Sequence, residues 1–144
     1  MTPEPKRNND PARLHPAFRP LHDALLSNLE LAGVPIRLFE GHRAPERQAW
    51  LYASGRTREG PIITKADAWS SYHQYGLAGD YVLWIAGRWS WDISRPRMAY
   101  WEELHAEGRK LGLEPLSFEL PHLQLAGLSI GDLRNGILPP APSL

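Results

Sequence analysis

Six histidines and no cysteine leave imidazole and carboxylate as the side chains able to hold a transition metal. Two of the histidines have neighbours suited to that work. His73 stands in Ser71-Tyr72-His73-Gln74-Tyr75-Gly76-Leu77-Ala78-Gly79-Asp80, and His122 in Phe118-Glu119-Leu120-Pro121-His122. A catalytic zinc needs three protein ligands and one open position. His73, Asp80 and His122 offer a two-histidine, one-carboxylate set from two separate segments. Glu119, beside a ligand, would be free to take a proton from an activated water. Spacing alone leaves the matter open, because His73 and Asp80 are seven apart and do not form the short helical zinc pair. Taken singly, His73 also reads as a loop residue, Asp80 as a hydrogen bonder at a strand start and His122 as a surface histidine.

These residues must be positioned by the elements around them. Pro16 or Pro20 opens a helix to Ala32, stopped by Gly33, with Phe18, Leu21, Leu25 and Leu29 on one stripe. A strand is expected over 34–39, and a second helix from Pro45 to about Ser54. Residues 55–70 lack a clear period and read as a long loop, a feature usually functional or mobile in a small domain. A strand from Ala78 turns at Ala86-Gly87-Arg88 into Trp89-Ser90-Trp91. Pro96 starts a helix ending at Gly112, with Trp101, Leu104, Gly108 and Leu111 on one face. Leu113 to Phe118 and Leu123 to Leu125 read as strands flanking Glu119-Leu120-Pro121-His122, and a last helical turn covers 129–134. This grouping indicates an α+β fold in a single domain, a small antiparallel sheet with packed helices. Residues 1–14 read as a flexible lead-in, 15–136 as the domain and 137–144 as a Pro-rich tail.

The 144 residues suffice for one core. Sixteen basic residues balance sixteen acidic ones, without a polybasic block, which argues against nucleic acid or an anionic membrane as partner. No stretch is long and apolar enough for a membrane anchor, and the first ten residues lack the apolar core of a secretory signal. Nothing apolar and periodic is left over for an obligate interface, so a monomer is expected. Trp84, Trp89 and Trp91 are expected in the core, because hairpin aromatics usually pack there. His15, His22, His42 and His105 have no partner pattern and read as structural or solvated.

Ser71-x-His73-x-x-Gly76-x-Ala78-x-Asp80 followed by Glu119-x-Pro121-His122 resembles the signature of the zinc peptidoglycan peptidases. That family holds D-alanyl-D-alanine carboxypeptidases and dipeptidases and phage L-alanyl-D-glutamate endopeptidases. Five fixed positions would match by accident on the order of once in a million starting points. Glu40-Gly41-His42-Arg43-Ala44-Pro45-Glu46-Arg47-Gln48 is similar to the strand-to-helix turn that presents an arginine to the family's site. Leu51 to Thr57, with Gly60 and Ile63-Thr64, resembles the loop of the endolysin branch. The resemblance covers about residues 18–128.

The resemblance implies a hedgehog/D-Ala-D-Ala-peptidase-like fold in which His73, Asp80 and His122 bind Zn²⁺ and Glu119 is the general base. Arg43 would stabilise the developing oxyanion; Ser71 and, more distantly, Gln48 would contact substrate. Two departures stand out. Gly79 replaces a bulkier apolar residue, which would loosen the strand, and Glu119 stands where many endolysin relatives have Asp. The implied function is cleavage of the peptidoglycan stem peptide, foremost as an L-alanyl-D-glutamate endopeptidase acting as an endolysin. A carboxypeptidase or dipeptidase, a non-enzymatic zinc-containing wall-binding module and a wall-docking virion component are the alternatives. Such a protein would be made in the cytoplasm without a signal peptide and act on the wall after release, or travel with a phage or phage-like particle.

Overall fold

The computed structural model describes residues 3–140. Helix α1 (Arg19–Leu31) has Pro20 in its first turn and buries His22, Leu25 and Leu29. Helix α2 (Pro45–Ala53) likewise begins on its proline. Helix α3 (Met98–Lys110) buries Trp101, Leu104 and Gly108, and carries Arg109 and Lys110 in its last turn, where cations oppose the helix dipole. A short α4 (Ile130–Arg134) is capped by the Ser129 side chain. Residues 55–70 hold neither helix nor strand, as their lack of period indicates.

Five strands, β1 (Ile36–Glu40), β2 (Ala78–Ile85), β3 (Arg88–Ser90), β4 (Leu113–Leu116) and β5 (Glu119–Leu125), form one antiparallel sheet. The order is β1-β2-β5-β4, with β3 a hairpin on β2. Side chains of a strand alternate between faces, and here the alternation separates core from site. Leu38, Tyr81, Leu83 and Leu123 are buried in the core, where α1 and α3 pack. On the opposite face Glu40, Asp80 and His122 stand side by side across three strands, because Asp80 is the register partner of both the others. A bulge between Leu38 and Glu40 makes this possible. Without the extra residue, Glu40 would share Leu38's face; with it, the carboxylate turns to the site.

Several features differ from the expectations. Glu119 to His122 lie inside β5, and the turn is Ser117-Phe118. Pro121 fits there because the β4 register jumps from Pro115↔Leu123 to Leu116↔Glu119, which leaves 120–122 outside that ladder. Gly79 does not loosen β2: a Cβ there would lie 2.9 Å from the Tyr81 ring, so the ring fills the space. The hairpin tryptophans are not core. Trp84 and Trp89 are half-buried, Trp91 is exposed, and Phe39 meets Trp89 and Trp91 edge-on at 5.1 and 5.2 Å.

Residues 3–14, expected above as a flexible lead-in, lie against β1 and α2. Gly41 donates its N–H to the Asn8 carbonyl, Arg7 donates to the Phe39 carbonyl, and Arg47 donates to Glu4 and to the Pro5 carbonyl. Residues 1–2 of the lead-in and 141–144 of the tail lie outside the described residues.

Candidate metal centre

His73 sits in a 3-10 turn, Tyr72–Tyr75, between two residues that fix it. The Ser71 hydroxyl accepts from the His73 N–H while Gln74 returns a bond to the Ser71 N–H, a reciprocal cap that satisfies two otherwise orphaned donors. Gly76 closes the turn at φ +71, and a Cβ there would lie 2.7 Å from the His15 nitrogen. Only glycine meets both demands. Asp80 and His122 then face each other across β2 and β5.

Both imidazoles are held from behind. His73 Nδ1 lies 2.7 Å from the Gly41 carbonyl, which only accepts, so Nδ1 carries the proton and Nε2 the lone pair. His122 Nε2 lies 2.8 Å from Gln124 Oε1, an amide whose nitrogen is turned to Glu114. His122 Nδ1 is therefore the bare nitrogen, buried with no hydrogen-bond partner. The two lone pairs converge on Asp80 Oδ1, at 3.2 Å from His73 Nε2 and 3.3 Å from His122 Nδ1. The three ligand atoms all lie within 4.8 Å of one another.

This donor set fits a metal ion. Three lone pairs aimed at one point repel unless a proton or a cation lies between them. A tetrahedral zinc with bonds of about 2.0–2.1 Å sets its ligands roughly 3.3 Å apart, the spacing seen on both sides of Asp80. The electrostatics agree. Burial works against the Asp80 carboxylate, but the pull of the neighbouring His73 and His122 holds its pKa well below the usual range. Burial also works against the His122 imidazolium, and Asp80 outweighs it, raising the pKa. The cluster attracts positive charge. Glu119 stands at its edge, with Oε2 3.5 Å from His122 Nδ1 and a side chain 32% exposed.

No protein-family model matches the chain. Over 109 residues it is 35% identical to the peptidoglycan L-alanyl-D-glutamate endopeptidase CwlK of Bacillus subtilis. That likeness is to a peptidoglycan peptidase. The match takes in 72% of this chain and 65% of CwlK, so the chain spans a little under two thirds of that relative. Among solved structures, the LD-carboxypeptidase LdcB shares the fold at TM-score 0.61 and 22% identity, over 87% of this chain and 72% of that one. DacB from Streptococcus pneumoniae D39 shares it at TM-score 0.56 and 21% identity, over 88% and 76%. The α+β fold is thus the one these two solved structures share.

The Arg43 guanidinium reaches the His73, Asp80 and His122 cluster from the side. Its Nη2 donates to Glu40 Oε1 at 3.0 Å and to Asp80 Oδ2 at 3.1 Å, and its Nη1 to Gln48 Oε1 at 2.9 Å. Arg43 thus holds the Asp80 oxygen that does not face the histidines, while its buried Nε has no hydrogen-bond partner. Gln48 is fully buried. Its Oε1 accepts from Arg43 and Gln74, and its Nε2 donates to the Ala66 carbonyl at 2.6 Å. It lies behind the site, under the loop 55–70.

Ser71, Arg43 and Glu119 line a cavity of about 270 Å³ that His73 and His122 also line. A second cavity, about 350 Å³, adjoins it and shares Arg43, Thr64, Phe118 and Glu119. Sequence reasoning missed three supports: Glu40, which pairs with Arg43 and Arg47, the Gly41 carbonyl, and Gln124. Gln124 had a signal, since residues two apart on a strand share a face. The other four histidines stay outside the cluster. His22, 1% exposed, bonds Tyr81 Oη at 2.7 Å, and burial lowers its pKa to about 4.

Proposed function

We propose that the chain is a zinc-dependent hydrolase of the peptidoglycan stem peptide, and that the bond it cuts is L-alanyl-D-glutamate. The observation that carries this reading is the pair of bare imidazole nitrogens facing Asp80 Oδ1, with the free Glu119 carboxylate beside them. Similarity to CwlK, an L-alanyl-D-glutamate endopeptidase by name, supports the choice of bond.

A zinc ion held by His73, Asp80 and His122 would polarise the scissile carbonyl and bring the pKa of water toward about 7. The chain's own residues do the rest. Glu119 accepts the proton of the attacking water on its carboxylate and passes it to the leaving amine. Arg43, held in place by Glu40 and Asp80, sets its positive charge beside the developing oxyanion. Ser71 fixes His73 through its acceptor oxygen and keeps its O–H to donate to substrate. Gln48 acts from behind, by positioning Arg43. Among the described residues no helix is long and apolar enough to cross a membrane. The reading includes a monomer acting on the wall after release from the cytoplasm, or carried by a phage-like particle.

The test is mass spectrometry of muropeptides after digestion with zinc-loaded protein, beside a chelated control and Glu119→Gln. Zinc-dependent release of peptides beginning at D-glutamate is expected, with zinc content and fold retained but cleavage abolished in Glu119→Gln. Loss of terminal D-alanine alone would move the activity to a carboxypeptidase. Equal behaviour of wild type and variant would leave a metal-containing wall-binding module.

A further inference from the structure

The two adjoining cavities form one groove with unlike ends. Phe39, Leu51, Val82 and Trp91 line one end, whereas Lys65, Ser70, Ser71 and Gln124 line the other. The metal cluster, Arg43 and Glu119 lie where they meet. A substrate group entering the polar end meets the Glu119 carboxylate, so an anionic group needs a nearby cation to enter. Arg43 does not supply it there, because its two terminal nitrogens are bonded to Glu40, Asp80 and Gln48.

Lys65 does. Its ammonium lies 5.0 Å from the centroid of the Phe118 ring, so its stem crosses from the 55–70 loop toward the β4–β5 turn. Among the described residues no carboxylate is paired with it. Its backbone is anchored on both sides: the Ala66 N–H bonds Thr64 Oγ1, and buried Gln48 holds the Ala66 carbonyl. An ammonium on an anchored backbone at the wall of a reaction groove is a compact point charge that an anionic group can meet.

We infer that Lys65 binds the free carboxylate of the residue on the amine side of the cleaved bond. This rests on the peptidase reading above. A glutamate joined onward through its side-chain carboxyl keeps a free α-carboxylate next to the amine that cleavage releases. Lys65 therefore distinguishes stems bearing that carboxylate from stems in which it is a carboxamide. A terminal carboxylate would offer the same chemistry, so the test includes both.

Calorimetry on the metal-free full chain compares uncleaved stem peptides carrying the glutamate carboxylate or its amide, and a second pair differing only in an amidated C-terminus. The glutamate carboxylate should bind about five-fold tighter than its amide, the scale of a partly solvated charge pair. Lys65→Met, which keeps a stem for Phe118, should abolish that preference, and Lys65→Arg should keep it. Discrimination confined to the C-terminal pair, equal affinities, an undiminished preference in Lys65→Met, or no binding at millimolar peptide each overturn the assignment. The peptidase reading fails separately: it is lost if the zinc-loaded chain cuts nothing while carboxylate-dependent binding persists. It stands if cleavage proceeds with no carboxylate preference.

Discussion

Replacing Glu40 by glutamine keeps the shape of a side chain 2% exposed and removes its charge. That carboxylate accepts from Arg43 Nη2 at 3.0 Å and from Arg47 Nε at 2.5 Å and Nη2 at 3.3 Å. The side chains of both arginines are largely buried, so the variant strands two cations away from water. Breaking a buried pair costs about 3–5 kcal/mol. The low end, about 3 kcal/mol, is expected because Asp80 still pairs with Arg43 and Glu4 with Arg47. At roughly 2–4 °C per kcal/mol for a domain near this size, Tm should fall by about 6–12 °C.

The pH dependence identifies the cause. Burial alone would raise the pKa of Glu40, but Arg47 and Arg43 win and lower it. A depressed folded pKa gives stability that is fully present above the unfolded value, near 4.3, and is lost as pH falls through the folded value. Urea unfolding of wild type and Glu40→Gln should show a gap that is constant at neutral pH and narrows below about pH 4. A loss under about 1 kcal/mol, the scale of exposed pairs, or a gap that ignores pH, would refute the network as the anchor of Arg43.

Gly79→Ala should destabilise by about 1–3 kcal/mol through overpacking against Tyr81, read by thermal unfolding, and Gly79→Ala with Tyr81→Leu should recover part of that loss. His22 should titrate near pH 4 by NMR. Because the unfolded chain takes that proton more readily, its contribution to stability falls as pH drops from about 6.5 toward 4. Zinc at a hundred times its Kd should raise stability by about 2.7 kcal/mol, reversibly with chelator. His122→Ala should lose this response, and an unchanged shift would place the ion elsewhere.

The motif was legible because each of its positions has a local task that a linear pattern preserves. Ser71 caps, Gly76 takes a positive φ, Ala78 packs without exposure, and His73 and Asp80 follow at fixed offsets. Helices α1 and α3 were legible for a similar reason, since their apolar stripes repeat every three or four residues. What stayed hidden depends on pairing between distant segments. Nothing local marks the bulge that turns Glu40 to the site, or the register jump that lets Pro121 lie within β5. The tryptophan hairpin misled because composition speaks for burial, whereas Trp91 lies beyond the end of β3, exposed and edge-on to Phe39. Gln48 was seen as polar and near the site, but its burial and its hold on Ala66 follow from how the loop folds back over α2.

The row of Glu40, Asp80 and His122 also governs when the protein gains its chemistry during synthesis. His73 and Asp80 are close in the chain, but His122, the third residue of the cluster, lies 42 positions after Asp80, on the strand that pairs with β2. A nascent chain that has emerged only through α3 carries His73 and Asp80 and lacks both His122 and Glu119. The cluster is completed when β5 docks, so the proposed metal site and its chemistry would arrive with the closing of the sheet.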